Sequence, residues 1–173
     1  SIEDWALPQK TLSRVSDAAD YRERLQKIVD ELSDPSHVLY TWGFHQLFHG
    51  ELTRADLDEI SDIIPIVVMQ RSLHEQIHNT RALEYFSIDQ SMIDSAPESV
   101  RNQTNLAEGH FWEQGQSLIV ARVFADLFRP SRYTPALEQI EEYWLAAGST
   151  LLAEPGGMVS PALIALQNQV LGD

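Results

Sequence analysis

The sequence contains no cysteine. Disulfides and thiolate metal sites are excluded, so any metal held by these residues must rely on histidine, carboxylate or water. Basic residues are scarce as well: 12 Lys and Arg stand against 26 Asp and Glu, a formal charge of -14. Nucleic-acid binding needs a positive footprint and an anionic membrane repels an acidic chain, so neither partner is expected. The longest apolar runs, "IIPIVVM" and "SLIVARVFADLF", are far shorter than a membrane span. No secretory leader is expected, because "SIEDWALPQK" has acids where a basic segment belongs. Cytoplasm is the expected compartment. There is also no G-x-S-x-G elbow and no phosphate-cradling Gly-rich loop.

What is present suffices for a real core: 173 residues, 43% of them apolar. Asp17 is placed to cap a helix reaching Leu32, in which Tyr21, Leu25, Ile28, Val29 and Leu32 recur at the helical period. "DPS" breaks it, and "HVLYTWGF" has the aromatic and β-branched character of a strand. Thr53 and Asp56 have the spacing of a capping box for a short helix through Leu57 and Ile60. "IIPIVVMQ" reads as a buried strand with Pro65 early in it. Asn79 is an N-cap for "TRALEYF", and Ser87–Leu106 reads as a polar loop turning at Pro97. A helix is predicted over Gln116–Phe128. Another is predicted with Thr134 as N-cap and Pro135 at its first position, carrying Leu137, Ile140, Trp144 and Ala147 on one face. Gly148 stops it, "STLLA" follows as a strand, "EPGG" turns, and Ser160–Pro161 open a last helix. Helix, strand, turn, helix is the order that builds parallel sheets. Both ends are abrupt, and the chain is expected to be a piece of a longer polypeptide.

The segment His74–His78, "HEQIH", matches the H-E-x-x-H pattern of zinc proteases. That chemistry needs a helix: histidines at i and i+4 hold zinc, and the glutamate activates a bound water. Glu98, twenty residues on, has a spacing that a third ligand can take. Two features oppose this. The preceding β-branched run favours a strand, and Arg81 stands where the extended protease pattern has glycine. The plainer reading makes His74 and His78 loop histidines at a non-helical junction before the "TRALEYF" helix. His45 and His49 form a second i, i+4 pair, while His37 and His110 have no evident partner in the sequence.

Taken in order, the segments "YTWGF", "LTRADLDEIS…IPIVVMQRSLHEQIHNTRALEYFSI", "GHFWE" and "AAGSTLLAEPGG" resemble metal-dependent amidohydrolases of the N-substituted formamide deformylase-like branch (amidohydrolase family 3). The stretch "LTRADLDEIS…IPIVVMQRSLHEQIHNTRALEYFSI" carries the resemblance through Leu57, Asp58, Ile60 and Ser61, then Pro65 to Val68 and His74. It continues through Asn79, Thr80, Ala82, Leu83 and Ile88, with Ser87 in place of a glycine. "YTWGF" resembles the family's G-W strand, "GHFWE" its G-x-L-x-E segment, and "AAGSTLLAEPGG" a barrel strand with Glu154 where aspartate is usual. The family commonly has the histidine matching His74 but an apolar residue at the place of His78, which turns the protease pattern into one family histidine and a coincidence.

The resemblance implies an α/β fold: mixed helices and the short sheet of an insertion domain at 1–130, then one β/α unit of a TIM barrel at 131–173. It implies a parent enzyme that hydrolyses non-peptide C–N bonds of small amide-like molecules with a divalent metal, zinc being the expected ion. The family's metal-binding H-x-H belongs to a strand before Ser1, so no catalytic residue is assigned, no metal is expected in this piece, and the piece alone is expected to be inactive. His74, Asn79 and Trp112 are the substrate-side candidates, and Glu154 is the candidate for the metal side. A homodimer is a further expectation. The competing expectations are a zinc metallopeptidase and a non-catalytic α/β interaction module.

Overall fold

The computed structural model describes residues 15–32, 34–149, 151 and 160–172. The chain divides into two compact units, Ser1–Val120 and Ala121–Asp173. It is an α/β protein of mixed helices and a short mixed sheet.

The first unit opens with α1 (Ala18–Glu31), capped by Asp17, whose carboxylate accepts from the Ala19 and Asp20 amides. Its apolar stripe buries Tyr21, Leu25 and Val29. Each such side chain contributes roughly 1.5–3 kcal/mol on burial. β1 (Leu39–Phe44) follows, then the single turn α2 (Gln46–His49) and α3 (Arg54–Ile60). The capping box at Thr53 and Asp56 forms as its spacing predicts. β2 (Ile66–Gln70) has every residue but Gln70 buried, which is why it reads as an unbroken apolar run.

The largest departure from expectation comes next. The segment Glu75–His78 is a strand, β3, and not a loop. It pairs antiparallel with β2, Val68 opposite Ile77, after a tight turn through Arg71–His74. After β3 come α4 (Thr80–Tyr85), α5 (Gln90–Asp94), α6 (Glu98–Arg101), β4 (Thr104–Asn105) and β5 (His110–Trp112). The sheet order is β1-β2-β3-β5-β4, with β1 and β2 parallel and the remaining pairs antiparallel. Two short helices and a strand therefore replace the loop expected over Ser87–Leu106. Asp89 caps the first helix, and buried Ile93, Ala96 and Val100 supply a helical spacing that polar neighbours mask in the sequence. The main core lies between α1, α3 and one sheet face, with Tyr21, Leu25, Phe44, Leu57, Ile66, Val68 and Ile77 at its centre.

The helix expected from Gln116 is a 3-10 segment over Glu113–Leu118 followed by α7 (Val120–Leu127). In the second unit α8 (Pro130–Ala146) starts earlier than expected. Pro130 takes the first helical position and Pro135 lies inside the helix. The first of two prolines suffices to start a helix, and the second costs the bond its missing N–H cannot make and crowds the carbonyl one turn back. Gly148, at φ 79, ends α8, with the Ser149 amide reaching back to the Trp144 carbonyl. α9 (Pro161–Leu171) is capped by Ser160, and Gln167 hydrogen-bonds the Tyr133 hydroxyl of α8. Most of the "STLLA" strand, the "EPGG" turn and Glu154 lie outside the described residues.

Candidate functional site

The strand at Glu75–His78 decides the H-E-x-x-H question. Four residues along a strand separate Cα atoms by roughly 13 Å, against about 6 Å along a helix. The environments differ too. His74 is exposed, with Nδ1 3.0 Å from a Glu113 carboxylate oxygen. That bond raises the imidazole pKa. His78 is fully buried, edge-on to Phe86 and Phe111, with Nε2 3.2 Å from the Gln76 side-chain oxygen Oε1. Burial depresses its pKa to about 3. The two rings do not converge, and the metallopeptidase reading is overturned with the helix it requires.

The strand also explains what the histidines do. β3 pairs with β5 in the register Glu75–Trp112, Gln76–Phe111 and Ile77–His110. Successive side chains alternate between faces. Glu75, His110 and Trp112 share one face; Gln76 and Phe111 lie buried on the other. Glu75 is the hub of a polar group beside the carboxyl ends of β1 and β2, the end at which open α/β sheets bind ligands. Its Oε2 accepts from Gln46 Nε2 at 3.1 Å and lies 3.0 Å from His110 Nε2; its Oε1 accepts from Gln70 Nε2 at 3.1 Å. Gln46 starts α2, Gln70 ends β2, and His110 starts β5, so three elements are tied to one carboxylate. The His110 and Trp112 rings lie 4.8 Å apart between centroids, tilted by 39°. His110, which lacks a partner in the sequence, has one in the fold.

Of the substrate-side candidates, His74 and Trp112 lie at the same end of the β3–β5 pair, where the Glu113 amide also donates to the His74 carbonyl at 2.8 Å. Asn79 stands apart from them. It is fully buried: Oδ1 accepts from the Ile66 and Ala82 amides, and Nδ2 donates to the Ser61 and Ile64 carbonyls. Its hydrogen-bonding capacity is spent joining α3, β2 and α4, which leaves nothing to offer a substrate. Glu154 falls outside the described residues. Sequence reasoning missed Glu75, Gln46, Gln70 and His110 as a group. They are brought together only by the β3–β5 register.

The second histidine pair is structural as well. His45 Nδ1 accepts from the Leu47 amide, and His49 Nδ1 accepts from the His45 amide. His49 is buried, stacked on Tyr21 and tilted against Phe44, and desolvation lowers its pKa to about 4. Its Nε2, like Nδ1 of His78, is a buried nitrogen without a hydrogen-bond partner, but each is enclosed by aromatic rings that bring no other donor to an ion. Among the described residues no three His, Asp or Glu side chains are grouped to hold a metal. These residues do not fit a resident metal ion.

No protein-family model matches the sequence, and no curated protein matches it. Two solved structures share its fold. An uncharacterized metal-dependent hydrolase from Pyrococcus furiosus aligns over 78% of this chain and 25% of its own, with a TM-score of 0.54 and 18% identity. An uncharacterized metal-dependent hydrolase from Pyrococcus horikoshii OT3 aligns over 76% of this chain and 24% of its own, with a TM-score of 0.50 and 18% identity. The chain thus spans about a quarter of each of these hydrolases and has the fold of that part. Among the described residues no helix is long and apolar enough to cross a membrane.

Proposed function

We propose that this chain is part of a cytoplasmic metal-dependent amidohydrolase of the N-substituted formamide deformylase-like branch, one that hydrolyses non-peptide C–N bonds of small molecules. The observation that carries the reading is the alignment of over three quarters of the chain with a quarter of a metal-dependent hydrolase. The ordered motifs from "YTWGF" to "AAGSTLLAEPGG" support the finer assignment to the branch. In such enzymes the metal activates a water and polarises the carbonyl. The resemblance assigns the metal-binding H-x-H to another part of the polypeptide, so no step of the reaction is drawn through this chain. Its contribution is recognition. His74, oriented by Glu113, and Trp112, packed beside His110, form the substrate side of the insertion domain.

The test compares the 173-residue chain with the polypeptide extended on both sides by its natural reading frame. The extended protein should carry zinc or another divalent metal and release formate from N-substituted formamides, whereas the chain alone should do neither. An extended protein without metal and without turnover sinks the reading. Stoichiometric zinc on the isolated chain, lost in His78→Ala, sinks it equally.

A further inference from the structure

We propose that His110 and Trp112 form a recognition site for a primary carboxamide group, with Glu75 as the residue that positions it. This rests on the hydrolase reading's assignment of Trp112 to the substrate side and deepens it, while concerning groups of this chain alone and needing no metal.

The argument begins with the ring of His110. Its Nε2 lies 3.0 Å from the Glu75 carboxylate, which can only accept; a neutral imidazole therefore donates Nε2–H there and leaves Nδ1 as an acceptor. Gln46 donates to the same oxygen and Gln70 to the other, so the carboxylate that fixes the ring is itself fixed from two other elements. Among the described residues Nδ1 of His110 has no hydrogen-bond partner. The buried nitrogens without partners are Trp42 Nε1, His49 Nε2 and His78 Nδ1, so Nδ1 of half-buried His110 reaches water. The same reasoning holds for Trp112 Nε1, a donor only. The two residues share a face of β5, with ring centroids 4.8 Å apart.

One acceptor whose tautomer is set by Glu75 and one donor on the neighbouring ring match a planar ligand that offers one of each. A primary carboxamide does: its N–H meets Nδ1, and its carbonyl meets the indole N–H. An ester lacks the donor and a protonated amine lacks the acceptor. A carboxylate lacks the donor and is repelled by Glu75 and by the chain's charge of -14. A flat substituent on the amide gains contact with the indole.

Benzamide is the probe, titrated into the full chain labelled with 15N at histidine and tryptophan. Long-range 1H–15N spectra read each imidazole tautomer, and the indole N–H signals read tryptophan. In the free chain His110 should be the Nε2–H tautomer. Benzamide should shift His110 Nδ1 and the Trp112 indole together, saturably, and N,N-dimethylbenzamide should bind at least tenfold more weakly. Trp112→Phe and His110→Gln, checked for folding by circular dichroism, should each weaken benzamide tenfold or more. Glu75→Gln should change the His110 tautomer population, an effect that mere loss of packing does not produce. Equal binding of the two amides, shifts confined to other rings, or no saturable shift up to the solubility limit each overturn the proposal. A folded Trp112→Phe that binds benzamide unchanged does the same. Hydrolysis or metal content of the extended protein does not enter this measurement, so the two readings fail separately.

Discussion

At the residue scale the polar groups that matter are the buried ones, because water cannot replace a lost partner there. Asn79 is the clearest case. Removing its amide strands two backbone N–H groups and two carbonyls, and each buried unsatisfied group costs about 1–3 kcal/mol. Asn79→Ala should therefore lower unfolding free energy by about 3 kcal/mol or more in urea titrations. Asn79→Asp should be at least as harmful, since a second oxygen then faces the carbonyls of Ser61 and Ile64. A loss below about 1 kcal/mol contradicts the clamp. His78 and His49 supply a pH prediction. Their folded pKa values, about 3 and about 4, lie below the ordinary 6.5 because burial disfavours the charged ring. Between those limits the unfolded chain binds the protons and the folded chain does not. The stability is whole above about pH 6.5 and falls as pH drops towards 4, by about 1.4 kcal/mol per pH unit for each histidine. His74 acts in the opposite sense, because Glu113 raises its pKa, but it is exposed and its effect is small. Urea midpoints at pH 7 and 5 check the direction, and His78→Leu should reduce the slope.

At the element scale the fold depends on two strands that meet at a glycine. Gly109 has φ 64, and a Cβ on it would stand 2.1 Å from the His78 carbonyl oxygen and 3.0 Å from Arg54 Cβ. The backbone oxygen leaves no room for a side chain, and the left-handed conformation adds strain to any that is placed there. Gly109→Ala should thus part β5 from β3 locally, with a loss of several kcal/mol and faster amide exchange at His78, whose N–H bonds the Gly109 carbonyl. Unchanged exchange at His78 would show that the pairing does not depend on this approach. The same pairing marks the limit of what could be read from the sequence. α1, β1, the α3 capping box, β2 and the Asn79 cap follow from periodicity and side-chain chemistry within a few residues of each other. β3 has four residues, of which only Ile77 is aliphatic, so no alternation announces it. With β3 unseen, β5 has no partner, and Glu75 and His110, 35 residues apart, have no reason to meet. His74 and Trp112 could be singled out by resemblance. The hub joining Gln46, Gln70, Glu75 and His110 could not, because it is a product of register alone.

At the scale of the whole molecule the two units bury very different amounts of apolar surface. In the first, Leu25, Val38, Leu57, Ile66, Val67, Val68 and Phe111 are wholly removed from water. In the second, the buried side chains among the described residues are Val123, Asp126 and Leu137, and α9 buries none despite a sequence, "PALIALQNQVL", that is mostly apolar. A helix of that composition in a finished domain hides a stripe. Here Ile164 is 46% exposed, and Tyr143 and Leu145 of α8 are 49% and 62% exposed. Few buried apolar contacts mean cheap local opening, so native-state hydrogen exchange should grade the chain. Amides of β2 and β3 should exchange only through global unfolding. Those of Pro161–Leu171 should exchange at least a hundredfold faster, equivalent to about 2.7 kcal/mol. If the chain is part of a larger hydrolase, the extended polypeptide should slow exchange in α9 while leaving β2 and β3 unaltered. Slow exchange of α9 in the 173-residue chain would mean that this helix is already covered. The exposed apolar residues of the second unit would then lend no support to a missing remainder.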